Sequence, residues 1–255
     1  MTSPPTISAI FFDLDGTLRH NEPPAVATFH RIAAELGVNS NPEQRIEAER
    51  WTYAYWADSK ELLEDLAQFG ASDGNLEFWD NYARRHLQIL GTPDALAIDR
   101  ASIVTRKMRE TYQPIDMVPS DVPSTLHTLR QAGYLLGLVS NRNKPLGEIV
   151  ERLGLEEFFQ ITLAAGEVGW SKPDPRLLLK AASLTGVEPD SSVYVGDNYY
   201  ADVVSAEGAG MLPVLVDPRG IFPEARCPVI GSIRELLEVL KLLDGGDKRT
   251  LGNSK

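Results

Sequence analysis

The sequence has a single cysteine and no long hydrophobic run, and each scarcity excludes a class of protein. Cys227 stands alone among the 255 residues, which excludes an intrachain disulfide and a multi-cysteine zinc site. The apolar stretches are short and interrupted by charge, too short for a transmembrane helix. The first ten residues lack the basic region and apolar run of a secretory signal. We therefore expect a cytoplasmic protein with no membrane partner.

Basic residues are scarce relative to acidic ones. Lys and Arg number 25 and Asp and Glu number 36, which gives a formal net charge of −11. This balance argues against nucleic acid or an anionic membrane as a general partner. It also means that a site for an anionic ligand needs local positive charge. The motifs G-x-G-x-x-G, the P-loop and H-E-x-x-H are absent as well, so nucleotide-fold and zinc-protease interpretations have no support.

The most informative stretch that is present is residues 7–18, ISAIFFDLDGTL. Its apolar run, bounded by turn residues, predicts a buried strand. Asp13 and Asp15 lie where this strand ends, followed by the turn residues Gly16 and Thr17. Two carboxylates at the rim of a packed core are unfavourable unless a positive or reactive group meets them. The rest of the chain should supply that group.

Helical spacing dominates from about residue 23 to residue 112, with no strand-like alternation. Start and stop signals predict helices over 24–36, over 42–69, from a cap at Asp73 to about 90, and from a cap at Thr92 to about 111. Four helices joined by short loops predict a small bundle.

From residue 119 onward, predicted strands alternate with predicted helices. We expect strands near 134–139, 161–164, 193–195 and 213–216, separated by helices and followed by a last helix over 233–243. Such alternation implies right-handed crossovers and helices on both faces of the sheet. We therefore predict an α/β fold: a doubly wound, mostly parallel, Rossmann-like sheet from residues 1–19 and 118–244, an inserted all-helical cap domain over 20–117, and a disordered tail over 245–255.

Polar residues cluster after the predicted strands. Ligands bind outside the carboxyl ends of the strands in an open parallel sheet, so residues that follow the strands should converge. Lys172, in a loop before a helix, can reach the same edge. The other members of this candidate site are Asp13, Asp15, Ser140, Asn141, Asp197 and Asp202.

This set of side chains suits phosphoryl transfer through a covalent intermediate. A carboxylate can attack phosphorus, and several acids at one edge favour Mg²⁺, which carboxylates typically hold. A lysine and a hydroxyl can stabilise the transferring oxygens. The second acid of the first pair, Asp15, can protonate a leaving alkoxide.

Four short motifs, in order along the chain, resemble those of the haloacid dehalogenase-like superfamily. Each motif alone is weak, whereas four in order at suitable spacing are specific. The resemblance covers the α/β segments, and the insertion after the first motif is similar to that family's helical cap. The motifs are Asp13-Leu14-Asp15-Gly16-Thr17, Ser140-Asn141, Lys172-Pro173, and Gly196-Asp197 with Asp202.

The resemblance implies roles for these residues. Asp13 would be the nucleophile and Asp15 the general acid and base, with Lys172 assisting catalysis. The phosphoryl-binding residues would be Thr17, Ser140, Asn141 and Lys172. The Mg²⁺ ligands would be Asp13, the main-chain carbonyl of Asp15, and Asp197, with Asp202 as a further ligand or a support.

The activity implied is Mg²⁺-dependent hydrolysis of a small phosphorylated metabolite, similar to phosphoglycolate phosphatase, by a monomer or homodimer. An acid at Asp15 favours a phosphatase over a haloacid dehalogenase, which needs no leaving-group proton. A phosphomutase and a non-catalytic binding protein remain alternatives.

Several of these residues also have purely structural interpretations. Asp202 could offset the dipole at the start of its helix. We interpret Trp51, Tyr53, Tyr55 and Trp56 as packing in the cap core rather than as a substrate lid. We interpret His30, His86 and His127 as structural or exposed, and we leave Arg19, His20 and Arg142 open between substrate contact and simple exposure.

Overall fold

The computed structural model describes residues 7–72 and 74–244, except for the side chain of Asp244. The chain divides into two compact units. The first is formed by the described residues of Met1–His20 and Asp116–Lys255, and the second is Asn21–Ile115. The predicted tail over 245–255 and the predicted cap Asp73 lie outside the described residues.

The strands confirm the predicted α/β sheet. They are β1 (Ala9–Phe12), β2 (His20–Glu22), β3 (Ile115–Met117), β4 (Leu135–Ser140), β5 (Ile161–Ala164), β6 (Ser192–Gly196), β7 (Leu212–Val216) and β8 (Val229–Ile230). Within the described residues, six strands form one sheet in the order β5-β4-β1-β6-β7-β8, and neighbouring strands pair in parallel. Strands β2 and β3 form a separate pair. At two or three residues each, β2, β3 and β8 are too short for alternation to reveal them in the sequence.

The helices fall into two groups along the chain. Those of the second unit are α1 (Ala25–Glu35), α2 (Pro42–Tyr55), α3 (Lys60–Phe69), α4 (Leu76–Ile89) and α5 (Asp94–Thr111). Those of the first unit are α6 (Asp121–Gln131), α7 (Gly147–Arg152), α8 (Ala165–Val168), α9 (Arg176–Thr185), α10 (Val204–Ala209) and α11 (Leu236–Asp244). None of the helices in the described ranges combines the length and apolar character needed to span a membrane.

Strand β1 lies in the middle of the sheet and is buried on both faces. Ile10 and Phe12 pack into an apolar cluster that includes residues of α6 and α11. Ala9 and Phe11 pack on the opposite face, in a cluster that includes residues of α9 and α10. A strand covered by helices on both sides is continuously apolar, which explains the run AIFF. The central position of β1 places the residues that follow it at the middle of the carboxyl edge.

The second unit differs from the predicted four-helix bundle. The single helix predicted over 42–69 is wrong, because the chain breaks between α2 and α3, so the described residues of this unit form five helices. Asp58 adopts a φ of 51° at the break, and the Ser59 hydroxyl accepts a hydrogen bond from the Leu62 amide at 3.1 Å. This side-chain cap starts a new helix. The apolar spacing continues across the break, so periodicity alone did not show it.

The starts of the next two helices also have different caps from those predicted. The side chain of Asn75 begins α4 by accepting hydrogen bonds from the amides of Glu77 and Phe78 at 3.1 and 3.2 Å. Thr92 is not the cap of α5, because Pro93 occupies that position with no side-chain hydrogen bond to the helix. The Pro93 ring has no group that could accept a hydrogen bond, so α5 begins without a side-chain cap.

Two of the four aromatic residues predicted to pack in the cap core, Trp51 and Tyr55, belong to an apolar cluster of the second unit, whereas Trp56 is 37% exposed and Tyr53 is half-buried outside that cluster. Tyr55 is fully buried and packs with Phe78, and Trp51 lies against the same cluster. The Tyr55 hydroxyl donates to Asp65, which also accepts from Arg85, at 2.9 Å in each case. Buried tyrosines usually find such a partner.

Candidate active site

The order of the sheet brings three strand ends together. Strand β1 lies between β4 and β6, so residues after these strands meet at one edge. The Asp13 amide donates to the Val195 carbonyl at 2.8 Å, which continues the pairing of β1 with β6 up to the candidate nucleophile. Ser140 ends β4 and Asp197 directly follows β6. The backbone therefore brings the residues that follow β1, β4 and β6 to one edge of the sheet, as the sequence predicts.

Lys172 is the positive group that meets the first carboxylate. Its Nζ lies 2.6 Å from Asp13 Oδ1 and 2.6 Å from Asp202 Oδ1. It also donates to the Tyr194 hydroxyl at 2.7 Å, which in turn donates to the Val139 carbonyl at 3.0 Å. Lys172 is only 2% exposed, so the ammonium depends on these partners for the hydrogen bonds that water would otherwise provide.

Burial and charge act in opposite directions on this pair. Burial raises the pKa of Asp13 to about 7, against the lowering effect of the neighbouring Lys172. Burial also lowers the pKa of Lys172, but the Asp13 and Asp202 carboxylates outweigh it and hold that pKa well above its ordinary value. Lys172 is therefore a fixed cation, and further positive charge at the site favours the carboxylate form of Asp13.

Asn141 fixes the position of Lys172. Its side-chain amide donates to the Lys172 carbonyl at 2.8 Å, and its oxygen accepts from the Lys172 amide at 2.7 Å. Two hydrogen bonds to one residue leave the loop little freedom to shift. Ser140 beside it is 2% exposed, and its hydroxyl accepts from the Arg142 amide at 3.4 Å.

Three carboxylates could hold a metal ion at this edge. Asp13, Asp197 and Asp202 each offer a ligand oxygen, and these atoms lie within 4.8 Å of one another. Such an all-oxygen donor set fits Mg²⁺. The Asp202 oxygens are already engaged, Oδ1 by Lys172 and Oδ2 by the Asn198 amide at 2.9 Å. This favours a supporting role for Asp202.

Gly16 and Thr17 both lie close to the Asp197 carboxylate and limit its position. The Thr17 hydroxyl donates to Asp197 Oδ1 at 3.4 Å. Gly16 has a φ of +87°, and a Cβ added there would lie 2.0 Å from Asp197 Oδ2. Both the left-handed backbone and the close approach require glycine at this position.

The side chain of Asp15 contacts arginines. Arg142 donates from Nε and Nη2 to the two Asp15 oxygens at 2.6 and 2.7 Å. Arg19 donates from Nη1 to Asp15 at 2.9 Å and from Nε to Asp116 at 2.7 Å. Arg152 also pairs with Asp116, at 3.0 Å. The two arginines that the sequence left open therefore have a defined contact, to the candidate general acid and base.

Two residues of the site had little signal in the sequence. Tyr194 lies between two valines in the centre of β6, and its hydroxyl is the only feature in the sequence that sets it apart from an ordinary core residue. Asn198 caps a π-helical turn over Tyr199–Val203 that contains Asp202. Turns of this kind are frequent at functional sites, but an ordinary helix was the natural prediction.

Comparisons with known proteins agree with this geometry. The haloacid dehalogenase-like hydrolase family matches residues 7–210. "Haloacid dehalogenase-like hydrolase domain-containing protein 3" of Bos taurus is 29% identical over 236 residues, 87% of this chain and 93% of the relative. "Glyceraldehyde 3-phosphate phosphatase" of Pyrococcus furiosus is 29% identical over 250 residues, 95% and 96% of the two chains.

Solved structures give the same fold. The crystal structure of 2-haloacid dehalogenase from Pseudomonas syringae pv. Tomato DC3000 is 25% identical, with a TM-score of 0.53, over 93% of this chain and 100% of the other. The family match spans most of the sequence and includes all four motifs at the carboxyl edge of the sheet. The chain belongs to the haloacid dehalogenase-like hydrolase family.

Proposed function

We propose that the chain is a Mg²⁺-dependent phosphatase that hydrolyses a small phosphate monoester through an aspartyl phosphate at Asp13. The observation that supports this most directly is the Lys172 ammonium, 2.6 Å from both Asp13 and Asp202. A carboxylate nucleophile needs an adjacent cation when its substrate is a dianion. The second unit follows the first motif in the chain, the place of the family's helical cap.

In the first half of the proposed reaction, a carboxylate oxygen of Asp13 attacks phosphorus and the bond to the ester oxygen breaks. Asp15 gives a proton to the leaving oxygen, and the phosphoryl group remains on Asp13. Lys172 and the Ser140 hydroxyl hold the transferring oxygens, with Thr17 and Asn141 as further proposed contacts to the phosphoryl group.

In the second half, Asp15 takes a proton from water, and the resulting hydroxide oxygen attacks the same phosphorus. The bond between Asp13 and phosphorus breaks, which releases inorganic phosphate and restores the Asp13 carboxylate. Asp13, the main-chain carbonyl of Asp15, and Asp197 would hold Mg²⁺, with Asp202 in support. The bound ion would supply neutralisation of the substrate's negative charge.

A screen of phosphorylated metabolites, with Mg²⁺ and with EDTA, tests this proposal. We expect phosphate release with Mg²⁺ from at least one small monoester and its loss with EDTA. Asp13→Asn should reduce turnover at least about 10⁴-fold because the amide is a poor nucleophile. Circular dichroism of this variant shows whether the fold is retained. Full activity in folded Asp13→Asn would refute the mechanism.

Haloacid dehalogenation is the second candidate, favoured by the likeness to the Pseudomonas syringae enzyme. The acid at Asp15 and the relatives titled as phosphatases favour phosphate esters instead. Halide release from a 2-haloalkanoate would decide for the dehalogenase, and isomerisation of a sugar phosphate without net hydrolysis would decide for a phosphomutase.

The proposed substrate is a small phosphorylated metabolite in a reducing compartment. Cys227 is the only cysteine of the sequence and is buried in the first unit, so the fold does not depend on an oxidising environment. Thiol-specific labelling of the native protein, compared with labelling after unfolding, would show whether Cys227 is reduced and protected.

A further inference from the structure

Strand β3 turns its apolar residues outward and its acid inward. Ile115 and Met117 are 68% and 37% exposed, whereas the side chain of Asp116 between them is 24% exposed. Successive residues of a strand point to opposite faces, and a half-buried strand ordinarily turns its apolar face inward. Asp116 therefore occupies a position that an apolar residue would normally fill, which indicates that its partners hold it there.

The partners of Asp116 are two arginines of the first unit. Its Oδ1 accepts hydrogen bonds from Arg19, from Nε at 2.7 Å and from Nη2, and its Oδ2 accepts from Arg152 at 3.0 Å. The hydrogen bonds from Arg19 lower the pKa of Asp116 against the opposing effect of burial, and the bond from Arg152 adds to this lowering. Asp116 is therefore a carboxylate at neutral pH and a fixed anionic partner for Arg19.

Arg19 is shared between Asp116 and Asp15. The third nitrogen of its guanidinium, Nη1, donates to Asp15 Oδ1 at 2.9 Å. The main chain fixes the spacing of Arg19 and Asp15, because the Arg19 amide donates to the Leu14 carbonyl at 2.9 Å and the Arg19 carbonyl accepts from the Gly16 amide at 2.8 Å. A planar guanidinium presents its donors at fixed angles. The position at which Asp116 holds Arg19 therefore sets the direction from which Nη1 approaches Asp15.

Asp116 and Arg19 meet although they are 97 positions apart in the sequence. The second unit, Asn21–Ile115, lies between them along the chain. Strand β3 pairs with β2, which begins directly after Arg19. The ion pair therefore joins the two points at which the chain leaves and re-enters the first unit.

We propose that Asp116 is a positioning residue of the active site, which through Arg19 holds the Asp15 carboxyl in the orientation from which its proton reaches the leaving oxygen. Arg142 holds Asp15 through two hydrogen bonds, and the pair of Arg19 with Asp116 supplies a third. Asp116 acts on the reaction only through Arg19. This inference rests on the proposed function, in which Asp15 gives the proton.

Two aryl phosphates of similar size separate positioning from general damage to the enzyme. The p-nitrophenolate ion leaves readily without a proton, whereas phenolate is more basic and gains more from proton donation. For each ester, kcat/KM reports the steps up to loss of the leaving group, so the later role of Asp15 as a base does not enter. Asp116→Asn should lower kcat/KM about 10-fold for phenyl phosphate and less than about 2-fold for p-nitrophenyl phosphate.

The ratio of the two kcat/KM values does not depend on how much of a variant is folded. Asp116→Glu keeps a carboxylate and should recover part of the loss for phenyl phosphate. Glu35→Gln is the matched control and should change neither value, because Glu35 also lies between two cations, Arg31 and Lys107, but at an exposed site of the second unit. Equal losses for the two esters in Asp116→Asn, or no loss for either, would overturn the proposal.

A double-mutant cycle tests whether Asp116 acts through Arg19. Arg19→Gln should show the same selective loss for phenyl phosphate. Adding Asp116→Asn to Arg19→Gln should then lower kcat/KM by less than about 2-fold more, because the route to Asp15 is already broken. A further loss of about 10-fold would show that Asp116 acts by another route and would contradict the proposal.

The wild type separates the failure of this inference from the failure of the proposed function. A wild type that releases phosphate from no ester in the presence of Mg²⁺ would refute the proposed function and, with it, this inference. An active wild type, with the same ratio between the two esters in every variant, would overturn this inference alone.

Discussion

Arg142 and Asp15 form a bidentate pair, with guanidinium nitrogens Nε and Nη2 at 2.6 and 2.7 Å from the two carboxylate oxygens. This geometry fixes both the direction and the distance of the carboxylate. Arg142 lies in the loop that follows β4, so the position of this loop determines where the Asp15 carboxylate, the proposed proton-transfer group, is held. A phosphate ester entering the site offers Arg142 a second anion of the same fork-like geometry.

Arg142→Lys should reduce kcat about 10- to 100-fold, because an ammonium cannot hold Asp15 through two parallel hydrogen bonds. Steady-state kinetics of phosphate release, with kcat and KM separated, would measure this. We expect the main loss in kcat, since the change misplaces a proton donor. Arg176→Lys is the control, because Arg176 pairs with Asp174 at an exposed site. Unchanged kcat in Arg142→Lys would show that the pair does not position Asp15.

Lys172→Met should lower the free energy of unfolding by about 3–5 kcal/mol, because Asp13 and Asp202 would remain buried without their cation. Urea unfolding followed by circular dichroism would measure the loss. Added Mg²⁺ should restore part of it by binding the folded form. Lys241→Met, at an exposed ion pair with Glu238, should change stability by less than about 0.5 kcal/mol. A similar small effect at Lys172 would contradict the buried ion pairs.

Gly16→Ala should abolish activity by displacing Asp197, since the new Cβ would lie 2.0 Å from its carboxylate oxygen. Gly154→Ala separates this collision from the backbone cost. Gly154 also has a positive φ, +66°, but no atom lies within 4 Å of an added Cβ. Each substitution should cost about 1–2 kcal/mol for the left-handed backbone. Phosphatase assays and urea unfolding of both variants would test this, and equal activity in the two would refute the steric argument.

The second unit should lose stability as the pH falls from about 6.5 towards 4. Burial lowers the pKa of His30 from 6.5 to about 4 and that of His86 well below 6.5. In this window the unfolded chain binds protons that the folded unit does not, so lower pH favours unfolding. Tryptophan fluorescence during urea unfolding at several pH values would measure the slope.

The variant His86→Gln should flatten that pH dependence, whereas His127→Gln, at an exposed position of α6, should leave it as in the wild type. An identical slope in wild type and His86→Gln would mean that other groups control acid unfolding of this unit.

The strands and their ends were accessible from the sequence because burial on both faces makes a central parallel strand apolar. The run AIFF before Asp13 and the run before Ser140 predicted β1 and β4, and the alternation of elements predicted a mostly parallel sheet. The order of its strands is seen only in the structure. The motif residues Asp13, Lys172, Asp197 and Asp202 do meet at one edge. Their catalytic roles stay predictions.

The contacts that periodicity does not encode were missed. The break before α3 depends on the Ser59 hydroxyl, and serine is too common to mark a helix start within a continuing apolar pattern. The pairing of Arg142 with Asp15 joins residues 127 positions apart. Tyr194 resembles any other large residue of a buried strand until its hydroxyl is seen beside Lys172. Such pairings depend on tertiary geometry.

The hydrogen bonds from Asn141 reach the main chain of residue 172 and not its side chain. Asn141 therefore holds the loop in the same way whatever side chain is present at position 172. Replacing Asn141 would loosen the loop but leave the lysine in the sequence. Replacing Lys172 would remove the buried cation and destabilise the fold, but it would leave these two main-chain hydrogen bonds in place. Asn141 therefore sets the position of the loop, whereas Lys172 supplies the positive charge that Asp13 and Asp202 require.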